Sequence, residues 1–153
     1  MRGWALFALL IGVTLSACNL TKTGEAQDGQ LSRGVVDPYL RIEDALANDS
    51  IDNIRQNAGE VATAASGLGA FAFKIGPAAL QLASAADLED ARTKFGLLSE
   101  AIEAYMNNQH LKAPEGVRVA FCPMKLKPWL QEDGPIHNPY YGSTMPTCGS
   151  FRN

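Results

Sequence analysis

Two cysteines and two methionines stand in mirrored order near the C-terminus, as Cys122-Pro-Met124 and Met145-Pro-Thr-Cys148. Thiolates and thioethers are soft ligands that select soft ions, Cu(I) foremost and Ag(I) with it. Methionine has no proton to lose and stays a ligand at any pH. It is a poor ligand for zinc, which takes Cys and His. A zinc site would have to recruit His110 and His137, the only two histidines in the chain, and these lack a metal-binding spacing. The midpoints of the cysteine pair and of the methionine pair both fall on Gly134-Pro135, inside the turn-prone Asp133-Gly134-Pro135. A chain doubling back there would nest the methionines beside the cysteines, giving the metal-ligand set Cys122, Met124, Met145 and Cys148. The competing reading is a Cys122–Cys148 disulfide. Two cysteines in an oxidising compartment usually pair, and closing a loop of this length would stabilise the fold by roughly 3.5 kcal/mol on the chain-entropy model. The methionines would then be gap fillers. Both readings stand at this point.

The compartment is read from the N-terminus. MRGWALFALLIGVTLSAC carries one Arg, then an apolar run from Trp4 to Leu15, then small residues, which is the layout of a secretory signal peptide. The run is short of the about 18–20 apolar residues of a spanning helix. Leu15-Ser16-Ala17-Cys18 resembles the lipobox of bacterial lipoproteins. That resemblance implies a signal peptide over 1–17, an acylated Cys18, palmitate among its chains, and a cell-envelope protein anchored by lipid. Each buried CH₂ contributes about 0.8 kcal/mol to such an anchor. Asn19, rather than Asp, after the cysteine implies the outer membrane, facing the periplasm. Acylation also accounts for the odd count of three cysteines.

The rest of the chain has to position the sulfurs. Residues 18–35 read as lipidated cysteine and flexible tether, and 36–153 as one domain carrying the motif over 121–149. Asp37-Pro38 reads as a helix start, N-cap followed by first-turn proline, with the helix ending near Asn48. Asp49 or Ser50 would cap a second helix striped by Ile51, Ile54, Ala58, Val61 and Ala65. Gly67–Gly76 is an apolar, glycine-broken link, expected to be buried or half-buried, before a helix restarting at Pro77. The clearest stripe is Leu88, Ala91, Phe95, Leu98, Ile102 and Tyr105; Asp87 either caps it or lies within a longer helix. Val117, Val119 and Phe121 alternate as a short strand. Beyond them, prolines 123, 128, 135, 139 and 146 with three glycines leave room for no regular element. The fold class is therefore mainly α: an antiparallel three- to four-helix bundle with a C-terminal Pro-rich loop and short-strand region. Trp129, Asn138, Pro139, Tyr140, Tyr141 and Gly142 are expected to pack that region onto the helices.

The net charge of −3 and the absence of any Lys/Arg run argue against nucleic acid as a partner. No Gly-x-Ser-x-Gly, phosphate loop or His-Glu-x-x-His occurs, so the chain reads as a non-enzyme. One resemblance adds to this. Phe121-Cys-Pro-Met124, Trp129-Leu130, Ile136-x-Asn138-Pro-Tyr-Tyr-Gly142 and Met145-x-x-Cys148-Gly149 are similar to the signature of a bacterial domain of unknown function. That domain occurs alone in periplasmic or lipid-anchored proteins and at the C-terminus of copper/silver efflux membrane-fusion proteins. Asp37-Pro-Tyr-Leu40 and Ala91-Arg-x-x-Phe95-x-x-Leu98-Ser99 resemble its first and last helices. The resemblance, over about 36–150, implies a helical domain that handles copper(I) or silver(I), with a heavy-metal efflux complex as partner. No fused adaptor is expected beside this domain, so sequestration or hand-over of the metal is the role the resemblance implies.

Overall fold

The computed structural model describes residues 29–152. The expected signal peptide, Cys18 and most of the tether lie outside the described residues. Within them the chain is mainly α, with four helices and a small three-stranded antiparallel sheet. The helices are α1 (Arg33–Ala47), α2 (Ile54–Ala65), α3 (Ile75–Ala83) and α4 (Leu88–Asn108); the strands are β1 (Val117–Cys122), β2 (Lys127–Glu132) and β3 (Ser150–Phe151). Among the described residues no helix is long and apolar enough to cross a membrane.

Folded structure begins earlier than the tether expectation allows. Gln30 bridges to Lys112, Leu31 is buried, and the Ser32 hydroxyl caps α1 by accepting from the Gly34 N–H at 3.3 Å. The helix thus starts upstream of Asp37-Pro38, and Pro38 lies inside it. The cause is Val35 and Val36. Both are wholly buried, and that burial outweighs the one backbone hydrogen bond a proline forfeits in a helix. Asp37 instead pairs with Arg33 one turn back, at 3.5 Å.

The N-cap position of α2 is Asn53, in the left-handed region (φ 59°) and without a side-chain cap bond, rather than Asp49 or Ser50. Ser50 caps the intervening turn, accepting from the Asp52 N–H. Ile51 therefore falls outside the stripe and is 46% exposed, while Ile54, Ala58, Val61 and Ala65 are buried. The Gly67–Gly76 link differs too. Ala72 and Ile75 are buried, but Phe71 and Phe73 are 65% and 68% exposed, and α3 restarts at Ile75 rather than at Pro77. Asp87 caps α4, its carboxylate accepting from the Asp90 N–H at 2.9 Å. The buried faces of Ala91, Phe95, Leu98, Ile102 and Tyr105 then form the middle of the core. Each fully buried Phe, Leu or Ile contributes about 1.5–3 kcal/mol. Helix α1 packs on α2, α2 on α3 and α3 on α4, while β2 lies against α4 and α1.

The motif region contains more regular structure than its prolines promise. β2 pairs with β1 in a hairpin whose turn is Pro123–Leu126, with Cys122 opposite Lys127 and Val117 opposite Glu132. Pro128 sits within β2 opposite Phe121. β1 is the central strand, and β3 adds to its other edge, Ala120 opposite Phe151. The buried residues of β1 are Val117, Ala120 and Cys122 rather than Val117, Val119 and Phe121. Ala120 and Cys122, on one face of β1, are buried, while Val119 and Phe121 on the other are half-buried.

Candidate functional site

The two cysteines of the motif come together, by a route other than the expected fold-back. The chain does bend at Gly134, but what joins the ends of the motif is β3 pairing alongside β1. Two crossed cation–π contacts hold this short strand. Arg118 of β1 lies over the Phe151 ring at 3.7 Å from its centroid, and Arg152 lies over the Phe121 ring at 3.9 Å. Arg152 also donates its backbone N–H to the Val119 carbonyl and pairs with Glu103 of α4 at 2.6 Å. Of these side chains the sequence pointed to Phe121 alone, as a strand residue of the motif. Their signal is the alternation of Arg and Phe on strands that later prove adjacent.

Cys122 is fully buried at the end of β1, and Cys148 is half-buried beside it; both are free thiols. The Cys122 sulfur lies near enough to Cys148 to act on its ionisation, and one buried amide, that of Asn138, bonds to both residues. Burial first, and then this neighbouring sulfur, push the Cys148 thiol above its ordinary pKa. It is therefore a poor nucleophile on its own. Two thiols with this mutual placement can close into a disulfide or share one soft cation.

Asn138 holds the pair. It is fully buried, and its side-chain amide donates to the Cys122 sulfur at 3.4 Å and to the Cys148 carbonyl. Its side-chain oxygen accepts from the Tyr140 N–H at 2.8 Å, its own N–H donates to the Pro146 carbonyl, and its carbonyl accepts from Gly142. Gly149, the residue after Cys148, lies under Trp129, where an added Cβ would come 2.5 Å from the indole ring. Trp129 is buried and donates its indole N–H to Gln131 at 3.2 Å. Tyr140, also buried, stands edge-on to Trp129 and next to Phe95 of α4, which in turn meets Tyr39 of α1. Pro139 and Gly142 are buried and Tyr141 is half-buried. A chain of aromatic contacts thus runs from the motif through α4 to α1.

Arg92 completes the support. From α4 it donates to the Pro139 carbonyl at 3.0 Å, to the Leu46 carbonyl at 2.9 Å and to Asp49. Asp49 also receives the Ser143 N–H, and these two partners hold its carboxyl below the usual carboxylate range. Gly142 passes so close that a Cβ there would overlap both Asp49 and Arg92.

The methionines sit on the flanks. Met124 is in the β1–β2 turn and 62% exposed; Met145 is half-buried, its carbonyl accepting the Cys148 N–H at 3.2 Å. Among the described residues no three His, Cys, Asp or Glu side chains converge as a metal cluster, so neither histidine adds a donor to the cysteine pair. His110 is exposed and His137 half-buried. Comparison with family models, with curated proteins and with solved structures gives no match to this chain.

Proposed function

We propose that this protein is a lipid-anchored envelope protein, held through Cys18, that binds one soft monovalent ion, Cu(I) or Ag(I). The observation that carries the reading is the Cys122–Cys148 pair: two unbonded thiols side by side, positioned by a buried asparagine. Two thiolates suit a soft ion and need no third hard donor. Met145, half-buried next to Cys148, and Met124, on the exposed turn next to Cys122, supply thioethers from the two flanks. An exposed thioether at the entrance and a buried thiol at the floor suit capture followed by retention. Sequestration, or hand-over to a heavy-metal efflux complex, is the role this assigns, without catalysis. The helices are scaffold. Successive helices packed on one another through short links support an antiparallel bundle, and the packed loop preorganises the ligands, which reduces the ordering cost of binding.

A second reading is favoured by the same adjacency. Cys122 and Cys148 are placed to close a disulfide, which would leave a stapled interaction module. Alkylation and mass measurement of the protein purified under inert gas separate the two, followed by native mass after addition of Cu(I) and of Ag(I). Two alkylatable thiols and one added equivalent of metal are expected. A closed bridge that takes up no Cu(I) even after mild reduction would abandon the metal reading.

A further inference from the structure

A cleft lies between α1 and the end of β2 with the loop that follows it. It encloses about 790 Å³, within the range of small-ligand pockets. Leu40, Pro135 and Ile136 give it apolar walls, while Asp37, Asp44, Glu132 and Asp133 give it a rim of carboxylates. On its lining stands Glu43, 5% exposed, with a buried carboxyl oxygen, Oε1, that has no hydrogen-bond partner. A buried carboxyl oxygen left unpaired costs roughly 1–3 kcal/mol, and buried polar groups are paired almost without exception. The fold supplies no partner although donors are near. Arg41, on the same lining, turns its guanidinium to Asn57 at 2.8 Å and to Glu60. His137 directs its backbone N–H to Gln131. Asp37 pairs with Arg33 and Asp133 with Arg118, in exposed contacts outside the cleft floor.

We propose that this cleft binds an alkylammonium ligand, with one ammonium on Glu43 and a second at the rim formed by Asp44, Glu132 and Asp133. An ammonium carries three N–H donors and no acceptor, which matches a rim of acceptors and an orphan acceptor just beneath the lining, which Glu43 brings to the cleft by a side-chain rotation. A bare divalent ion is a poorer fit, because no three carboxylates among the described residues converge to cage it. The apolar walls suit the methylene chain between two ammonium groups. Burial first, then Asp44 and Glu132, raise the Glu43 carboxyl from 4.5 to about 9, so the empty cleft holds it as the neutral acid. A bound ammonium reverses that preference. Glu43 releases its proton to solvent as the charge-assisted N–H···O⁻ bond forms. The ammonium received by Glu43 is chemistry shared by a free polyamine and by the lysine side chain of a protein; the second ammonium at the rim belongs to the polyamine alone.

The test is titration calorimetry on the full chain in detergent at pH 7, with putrescine, spermidine and N-acetyl-lysine methylamide, each in two buffers of different ionisation enthalpy. Saturable binding with release of up to one proton is expected, with at least a tenfold loss in Glu43→Gln. Gln reproduces the neutral acid, so this variant folds; its melting temperature checks that. Glu132→Gln, at an exposed position, should weaken spermidine severalfold while leaving folding untouched. Spermidine binding tighter than the lysine derivative assigns a free polyamine; the lysine derivative binding as tightly or tighter assigns a protein side chain. Absence of saturable binding by all three, or an unchanged Kd in Glu43→Gln, overturns the proposal.

Discussion

Asn138 and Glu43 are both polar and both buried, at 0% and 5% exposure, yet their surroundings are opposite. Asn138 has a partner for each side-chain donor and acceptor and for its backbone groups. Glu43 has a buried oxygen with none. A satisfied buried amide fixes a loop in one arrangement, whereas an orphan acceptor keeps the fold below its attainable stability. The first is how a scaffold holds two thiols together. The second is how a site waits for a ligand. The contrast makes opposite predictions for the two residues.

The largest loss is expected on the satisfied side. Asn138→Ala strands the Tyr140 N–H and frees the Cys148 backbone from the Cys122 strand, at about 3 kcal/mol. Thermal denaturation should show the drop, and alkylation of Cys122 and Cys148 should speed up together. A variant that melts with the wild type and protects both thiols would show that Asn138 is not the hub.

Glu43→Gln should shift stability the other way. In the folded chain Glu43 keeps its proton up to about pH 9, while the unfolded chain loses it near its ordinary value of 4.5. The folded state therefore binds more protons between those limits, and stability falls as pH rises through that window. The contribution of Glu43 is fully present below about 4.5 and gone above about 9. Gln carries no such slope, so the variant should gain on the wild type from pH 5 to pH 9. The gain should be about 3 kcal/mol at pH 7. Denaturant melts at pH 5, 7 and 9 read it directly; parallel pH profiles for the two proteins would break the contrast.

Glu43 did not stand out along the chain, and Asn138 stood out only as a packing residue of the motif, for physical reasons. Glu43 lies in Arg41-Ile-Glu-Asp44, where charged residues flank a buried Ile and read as a solvated helix face. Its burial arises where α1 meets β2 and the segment after it, a contact made across the fold. Asn138, beside Pro139, reads as turn chemistry, and its second task, bonding to both cysteines, depends on contacts made across the fold. What local pattern controls was readable: the stripe of α4, the stop of α1 at Asn48 and the β1 strand. What depends on partners distant in sequence was not. The Pro38 helix start was overridden by buried valines upstream. β2 was hidden by prolines that its short length and hairpin setting tolerate. The cysteines met through β3, whose two residues carry no periodic signal at all.

Arg92 offers a smaller test of the satisfied side. Arg92→Met keeps the aliphatic stem but removes the donor that ties the Pro139 and Leu46 carbonyls and Asp49 together, which costs roughly 1–2 kcal/mol. The 138–149 loop should loosen before the helices do. Faster amide exchange at Gly142 and Cys148, with unchanged exchange in α2 and α3, is the expected pattern. Uniform loosening would place Arg92 in the general core instead of under the motif.

The smallest effect on stability should come from the thioethers, and it carries the most weight for function. Leu is close in volume to Met, and Met124 is mostly exposed. Met124→Leu with Met145→Leu should therefore change stability by less than about 0.5 kcal/mol. If the thioethers flank the thiol pair as metal donors, the same double variant should lose about tenfold in Cu(I) affinity, or about 1.4 kcal/mol. Competition with a chelator of known Cu(I) affinity would measure this. A loss of affinity without a loss of fold cannot be ascribed to packing, because the packing is measured in the same protein and is unchanged. An affinity equal to wild type would remove both methionines from the site. Cys122 and Cys148 would then be left as a bare dithiol, for which closure into a disulfide explains the adjacency as well as metal does.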